Sequence, residues 1–116
     1  MTKSIMLIVE DEPLIRMCAV DFAEEAGYEA LEAGNASEAL AALESHDDIA
    51  VLFADISLGE GMNGLELIAL VRERWPQIRV LLASGAAPDD VSGVQYLPKP
   101  YGATQFLEAM HELAAQ

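Results

Sequence analysis

Chemically reactive side chains follow several of the apolar runs in this sequence. The acidic run 10–12 follows the first apolar run, and Asp55, Ser84 and Lys99 each follow a later one. If these runs are strands of one parallel sheet, their carboxyl ends meet at the same edge and the reactive side chains converge there. Carboxylates that repel one another are costly to gather unless a cation holds them, and oxygen ligands without His or Cys favour Mg²⁺. We therefore predict a divalent cation site with a hydroxyl and an amine beside it.

Each of these residues alone also has a purely structural explanation. Residues 10–12 could cap the first helix, and Asp55 and Ser84 could bond to turns. Lys99 could be a solvated surface charge. Their shared position after core strands, together with their complementary chemistry, favours a functional site over a chance scatter of polar residues.

Five short segments have the pattern of strands that would position these residues. Residues 5–9, 49–54 and 79–83 are continuous apolar runs, which is typical of strands buried on both faces of a parallel sheet. Residues 28–33 and 94–97 have a weaker strand pattern. The sequence thus predicts a five-stranded sheet.

Four segments with apolar residues at helical spacing alternate with these strands. Asn35 with Glu38, and Asn63 with Glu66, have the spacing of a helix cap and an acidic reciprocal partner. Alternating strands and helices require right-handed crossovers and a parallel sheet covered on both faces. We therefore predict a three-layer α/β fold, with helical spacing over residues 14–26, 36–43, 65–75 and 106–113.

Length and composition restrict the class of protein. The chain has 116 residues, which suits a single domain over residues 1–116, and it is 53% hydrophobic and 22% charged, as globular proteins are. Twenty acidic residues against six basic ones give a formal charge of −14, which would repel a nucleic-acid backbone. We therefore predict no direct binding of DNA or RNA.

The single cysteine and the short apolar runs indicate in which cellular compartment the protein is found. Cys18 lies in a helical apolar pattern, so we predict that it is a small core residue outside any disulfide or metal site. The first apolar run, residues 5–9, is too short for a signal peptide or a membrane span. The sequence therefore indicates a cytoplasmic protein without a membrane segment.

Short motifs at the predicted strand ends and at one helix start lie at residues 7–12, 53–55, 63–67, 83–85 and 96–100. In combination they resemble the receiver domains of two-component response regulators, and the likeness covers nearly the whole chain. The resemblance implies a flavodoxin-like, doubly wound three-layer fold with a five-stranded parallel sheet in the order 2-1-3-4-5. It also implies a stand-alone receiver, similar to the chemotaxis regulators, and not a conventional enzyme.

The resemblance assigns roles to Glu10, Asp11 and Asp55. Glu10 and Asp11 would form an acidic pair around Mg²⁺. Asp55 would lend an oxygen to the ion, and Ser57 would add its backbone carbonyl. Asp55 would also accept a phosphoryl group from a sensor histidine kinase or a histidine phosphotransfer protein. The chain would catalyse both the phosphorylation and the dephosphorylation of its own Asp55.

Three further residues would respond to the phosphoryl group. Lys99 would bind one of its oxygens, Ser84 would form a hydrogen bond with it, and Tyr96 would change rotamer. The implied result is a conformational switch that controls a downstream partner protein. Because the chain ends soon after the last predicted helix, we expect its output to pass through that partner.

Two segments depart from the family pattern. Lys99 follows Ser84 by 15 positions, so roughly two helical turns are missing and the fourth helix is shortened or absent. Residues 89–91 could start only a short turn. Because this helix belongs to the usual output and dimer face, we expect any homodimer to use a non-standard face. The loop after Asp55 has glycines where the family usually has a proline, so we expect it to be more flexible.

Three other functions share parts of this pattern. A pseudo-receiver would act as a non-phosphorylated interaction module, and the presence of Asp55, Ser84 and Lys99 argues against it. A flavodoxin-like FMN electron carrier would need a hydroxyl- and glycine-rich phosphate cradle where the acidic residues 10–12 stand. A metal-dependent phosphatase with an Asp nucleophile would need a second acid at the position of Ser57.

Overall fold

Strands and helices alternate along the chain. The structure, a computed structural model, describes residues 3–59, 61–85 and 94–114. The bounds of the strands agree with the sequence predictions to within one residue at each end. In chain order the elements are β1 (Ile5–Val9), α1 (Pro13–Glu25), β2 (Glu29–Ala33), α2 (Ala36–Ser45), β3 (Ile49–Asp55), α3 (Gly64–Arg74), β4 (Arg79–Ser84), β5 (Gln95–Pro98) and α4 (Ala103–Ala114).

All five strands are parallel and form one sheet in the order β2-β1-β3-β4-β5. This is the doubly wound order that the resemblance implied, so the predicted fold is confirmed. The direction in which successive strands are added reverses between β1 and β3. In open parallel sheets a crevice forms beyond the carboxyl ends of the strands at such a reversal.

Apolar layers cover both faces of the sheet. In β1, Leu7 and Val9 point into the layer that α2 and α3 cover, whereas Met6 and Ile8 point into the layer of α1 and α4. All four side chains are at most 1% exposed. A strand that is buried on both faces needs apolar side chains on both, which explains the continuous apolar runs in the sequence. The packed sheet thereby holds the residues after β1 and β3 in place.

The two predicted helix caps form in different ways. At the start of α3, the Glu66 N–H donates to Asn63 Oδ1 at 2.9 Å and the Asn63 N–H donates to Glu66 Oε1 at 3.0 Å. At the start of α2, the Glu38 N–H donates to Asn35 Oδ1 at 2.8 Å, but the Glu38 carboxylate accepts from the Gly34 N–H at 2.7 Å. The reciprocal bond predicted for Asn35 is therefore wrong by one residue. The backbone is more extended at Asn35 than at Asn63 (φ −159° against −86°). At α2 the Glu38 carboxylate therefore meets the N–H of Gly34 and not that of Asn35.

Helix α1 leaves several of its apolar residues exposed. Ala19 and Ala23 are buried against the sheet, whereas Leu14, Met17 and Cys18 are exposed. The prediction that Cys18 is a core residue is therefore wrong. The alanines let the helix lie close to the sheet, whereas larger side chains farther around the helix, such as Leu14 and Met17, stay in solvent.

The predicted departure from the family fold concerns the connection between β4 and β5. The turn predicted at residues 89–91 lies outside the described residues, as do the rest of residues 86–93. The described residues form four helices, and the fourth of them, α4, follows β5. None of these helices is long and apolar enough to cross a membrane.

Candidate functional site

The carboxyl ends of β1 and β3 bring three carboxylates together. The two strands are adjacent, with Val9 opposite Ala54, so the residues that follow these positions are neighbours. Carboxylate oxygens of Glu10, Asp11 and Asp55 all lie within 4.8 Å of one another. Glu10 and Asp55 are buried and Asp11 is exposed, so the cluster opens to solvent on the side of Asp11.

The electrostatics of this cluster would favour a bound cation. Burial raises the pKa of Glu10 to about 7, and the hydrogen bond and negative charge of Asp55 contribute to the rise. Carboxylates held this close disfavour one another's ionised form, and a bound divalent cation would remove that cost. Three carboxylate donors without His or Cys suit Mg²⁺, a hard cation that prefers oxygen ligands.

Lys99 reaches this cluster from the end of β5. Its Nζ donates a short hydrogen bond to Asp55 Oδ2 and lies 3.7 Å from Glu10 Oε2. Burial alone lowers the pKa of Lys99, but the bond to Asp55 and the surrounding carboxylate charges outweigh burial and raise it. The ammonium therefore stays charged and partly neutralises the two buried carboxylates.

Ser84 and Tyr96 lie on the other side of Asp55. Asp55 pairs with Ala83 across the β3–β4 register, so Ser84 follows directly at the end of the neighbouring strand. The Ser84 carbonyl accepts from the Lys99 N–H at 2.8 Å and from the Tyr96 hydroxyl at 3.2 Å. The structure thus brings Tyr96 to the backbone of Ser84 and ties both residues to the chain at Lys99.

The loop after β3 contacts the cluster at two points. The Ser57 N–H donates to Asp55 Oδ1 at 3.3 Å. Gly59 has a φ of 76°, a conformation that favours glycine, and a Cβ at this position would lie 3.6 Å from Asp11 Oδ2. The loop therefore lies beside both Asp55 and Asp11.

Gly64 packs against the backbone of Asp55, a role that was not predicted from the sequence. A Cβ at Gly64 would lie 2.0 Å from the backbone oxygen of Asp55, so only glycine fits this approach. The Gly64 N–H also donates to the Ile56 carbonyl at 2.8 Å. The sequence showed Gly64 as a motif member at a helix start, and the close approach arises only when α3 folds back onto β3.

Arg16 is a second residue near the site that the sequence analysis missed. Its Nη1 donates to the Glu10 carbonyl at 2.8 Å, and its Nε donates to Glu32 Oε1 at 3.0 Å. A signal was present, because Arg16 is the only lysine or arginine between Lys3 and Arg72. An isolated cation in an acidic segment predicts a specific partner, although the sequence does not say which one.

An aromatic cluster anchors the segment that carries Lys99. The Tyr101 ring packs on Phe53 with a centroid distance of 5.7 Å and also contacts Phe22 and Phe106. Because Phe53 belongs to β3, the chain just after Lys99 is fixed to the strand that ends at the acidic cluster. Burial raises the pKa of Tyr101, as do the charges of the nearby carboxylates.

An apolar surface on α1 lies next to the site. Leu14 is 75% exposed, Met17 60% and Ile15 37%. A cavity of about 490 Å³ separates this surface from the residues that follow β4 and β5. Its lining residues are Ile15, Cys18, Phe22, Gly85, Lys99, Pro100 and Tyr101.

Comparisons with known proteins identify the family. The family model of the response regulator receiver domain matches residues 6–111. Among curated proteins, the chain is 32% identical to the response regulator protein FleR of Pseudomonas aeruginosa and 29% identical to the sensor kinase CckA of Brucella abortus. Each alignment covers 93% of this chain, but only 24% of FleR and 12% of CckA. The chain thus spans a small part of the length of these two relatives.

Solved structures agree with this assignment. A CheY-like receiver domain protein from Methanospirillum hungatei JF-1 is 28% identical with a TM-score of 0.86, covering 98% of this chain and 96% of that one. The response regulator TrrA from Thermotoga maritima, solved in complex with Mg²⁺ and BeF, is 27% identical with a TM-score of 0.84 and covers 97% and 99%. The family match decides against a flavodoxin-like electron carrier and an aspartate-dependent phosphatase. The chain belongs to the response regulator receiver domains of two-component signal transduction.

Proposed function

We propose that Asp55 accepts a phosphoryl group in a Mg²⁺-dependent reaction. The observation that carries this proposal is the surroundings of its carboxylate. Asp55 is buried, contacts the Lys99 ammonium and lies within 4.8 Å of carboxylate oxygens of Glu10 and Asp11. Phosphoryl transfer has a loose transition state, which mainly requires positioning of the reacting groups and compensation of charge.

The cation site is assigned to residues at the carboxyl ends of β1 and β3. Glu10, Asp11 and Asp55 would hold Mg²⁺ with their carboxylates, and Ser57 would add its backbone carbonyl. The bound ion would neutralise negative charge on the phosphoryl oxygens. Lys99 supplies a second positive charge, because its Nζ already lies against Asp55 and 3.7 Å from Glu10 Oε2.

The donor is a phosphohistidine of a sensor histidine kinase or a histidine phosphotransfer protein. An Asp55 oxygen forms a bond to phosphorus as the phosphorus–nitrogen bond breaks, and the electron pair stays on the imidazole nitrogen. Dephosphorylation is a separate hydrolytic step, in which water attacks phosphorus and the bond to Asp55 breaks, which releases inorganic phosphate and restores the carboxylate. The chain assists both of these steps on its own side chain and is otherwise not a conventional enzyme.

The switch follows from the groups around the new phosphoryl oxygens. The Ser84 hydroxyl would donate to one oxygen and Lys99 to another. Because the Tyr96 hydroxyl donates to the Ser84 carbonyl, a shift of Ser84 would release or redirect that bond. Phosphorylation adds charge and acceptor oxygens, so it would change the relative populations of two conformations.

Partners of two kinds are needed for this cycle. The exposed Leu14 and Met17 lie on α1 beside the acidic cluster, and such a surface suits docking of the phosphodonor. A downstream protein would read the switched state, in a cytoplasmic phosphorelay. Any homodimer would use a face other than the usual one, because the segment between Ser84 and Lys99 is short.

Phosphotransfer profiling tests this function. The wild-type chain and Asp55→Asn are incubated with the histidine kinases of the source organism and with acetyl phosphate, each with and without Mg²⁺. We expect acid-stable labelling of the wild type only with Mg²⁺ and none of Asp55→Asn. Asp48→Asn, which alters an exposed carboxylate away from the cluster, is the matched control and should be labelled normally. Undiminished labelling of Asp55→Asn would overturn the assignment.

A further inference from the structure

We propose that Arg16 is a positioning residue that sets the affinity for Mg²⁺ by holding the peptide group between Glu10 and Asp11. The inference rests on the proposed function, because it assigns both carboxylates to the cation site. Arg16 would not touch the ion. It would act through the backbone of the two ligands.

The two hydrogen bonds of Arg16 hold its guanidinium in one place. Nη1 donates to the Glu10 carbonyl at 2.8 Å, and Nε donates to Glu32 Oε1 at 3.0 Å. The guanidinium is a rigid planar group, so two bonds from different nitrogens fix both its position and its orientation. Glu32 belongs to β2 and lies opposite Ile8 of β1. Arg16 therefore links α1, β2 and the residue that follows β1.

The carbonyl that Arg16 binds belongs to the peptide group that joins the two proposed ligands, Glu10 and Asp11. The Glu10 carbonyl and the Asp11 N–H belong to one planar peptide group, whose rotation moves the side chains on either side of it. Among the described residues, the sequence neighbours of this peptide group bond elsewhere, and the Arg16 side chain bonds to its carbonyl. The Glu10 N–H donates to the Ala33 carbonyl at 3.0 Å, and the Glu12 N–H donates to the Glu10 carboxylate at 3.2 Å.

The first turn of α1 offers little other restraint on this peptide group. Glu12 is the N-cap residue of α1, and its side chain forms no capping hydrogen bond. The Arg16 N–H donates to the Glu12 carbonyl at 2.9 Å, which is an ordinary bond of the first helical turn. The Arg16 side chain therefore supplies the long-range contact at this end of the helix.

The distribution of basic residues also supports this role of Arg16. The chain has six basic residues and a formal charge of −14, and two of the six bind Glu10. Lys99 lies near the Glu10 carboxylate, where the proposed ion would also bind. Arg16 instead binds the carbonyl, so its charge does not compete with a cation for the carboxylate oxygens.

Isothermal titration with Mg²⁺ alone tests this proposal on the full chain. We expect Arg16→Ala to bind Mg²⁺ about tenfold more weakly than the wild type, the scale typical of residues that orient metal ligands. Arg16→Lys should fall between the two, because one ammonium replaces a two-pronged planar donor. Arg74→Ala is the matched control, since it removes a second Arg–Glu pair, with Glu44 at 3.2 Å, and should bind like the wild type.

Thermal unfolding without Mg²⁺ separates this role from a structural one. If Arg16 only supports the fold, Arg16→Ala will unfold at a lower temperature but bind Mg²⁺ with wild-type affinity, and the proposal is overturned. If Arg16→Ala does not fold, Arg16→Lys decides in the same way, with weaker binding in support and equal binding against. A wild-type chain that does not bind Mg²⁺ would overturn the proposed cation site itself, and the role of Arg16 with it.

Discussion

The two connections that supply the acidic cluster are held by different means. The connection from β3 to α3 is fixed by its own sequence neighbours, through the capping box of Asn63 with Glu66 and the close approach of Gly64 to Asp55. The connection from β1 to α1 has no side-chain cap, and Arg16 ties it to Glu32 on a different strand. One half of the site is thus positioned locally and the other by a long-range contact.

The two kinds of contact should respond differently to substitution. A backbone packed against backbone cannot shift without a clash, so the position of Asp55 is strictly set. The contact of Arg16 with Glu32 is a partly exposed side-chain pair, so its loss should leave the fold intact and change how Glu10 and Asp11 present their oxygens to a cation. We expect substitutions in the first connection to affect the fold and substitutions in the second to affect the ligands.

Gly64→Ala should have the largest effect, because its Cβ would meet the Asp55 carbonyl oxygen at 2.0 Å. We expect a loss of about 3 kcal/mol in the free energy of unfolding, at the upper end of the cost of overpacking, and loss of phosphorylation. Denaturant unfolding measures the first and labelling with acetyl phosphate the second. Gly85→Ala, where an added Cβ meets no atom of the described residues within 4 Å, is the control for stability. Equal stability of the two variants would show that the contact is not rigid.

Lys99→Ala should break the link between the two connections, since Nζ contacts Asp55 on one side and lies 3.7 Å from Glu10 on the other. We expect phosphorylation by acetyl phosphate to slow about a hundredfold, as when one preorganised charge donor is removed. The remaining phosphorylated protein should lack the conformational response, which partner binding or the Tyr96 signal in NMR would report. Lys3→Ala removes an exposed lysine and should leave both properties unchanged. A normal response of Lys99→Ala would refute this role.

Asn63→Ala removes a cap beside the site, whereas Asn35→Ala removes a similar cap at the start of α2. Each variant loses a side-chain bond to a helix N–H, at 2.9 Å and 2.8 Å respectively, so we expect both to lose about 1 kcal/mol of stability. Only Asn63→Ala should also slow phosphorylation, because its helix holds Gly64 against Asp55. Thermal unfolding and labelling rates measured in parallel check this. Equal labelling rates would contradict local positioning of Asp55.

Glu12→Asp gives α1 the side-chain cap that it lacks, and it should have the smallest effect. Asp is a favoured N-cap residue, and the change preserves the charge. We expect the free energy of unfolding to rise by about 0.5 kcal/mol, with unchanged Mg²⁺ affinity if the peptide group between Glu10 and Asp11 is held by Arg16. A changed affinity would mean that the helix start, and not Arg16, controls these ligands.

The strands were predictable because a parallel sheet buried on both faces requires continuous apolar runs, whereas their order was implied by the resemblance to receiver domains. The convergence of Asp55, Ser84 and Lys99 followed from the same rule, since parallel strands end at one edge. Cys18 was assigned wrongly to the core, because the apolar pattern of α1 does not reveal that its alanines face the sheet. The cap of α2 was assigned wrongly by one amide, because cap geometry depends on a backbone angle that residue types do not specify.

The sequence by itself determined which groups can react and at which edge of the sheet they gather, because residue type and strand periodicity are local properties. Only the tertiary structure decided how they are held. The approach of Gly64 to Asp55 and the reach of Arg16 to Glu32 join residues that are close in space through the packing of helices on the sheet. Such contacts depend on the positions of atoms to within a few tenths of an ångström, which no pattern of residue types encodes.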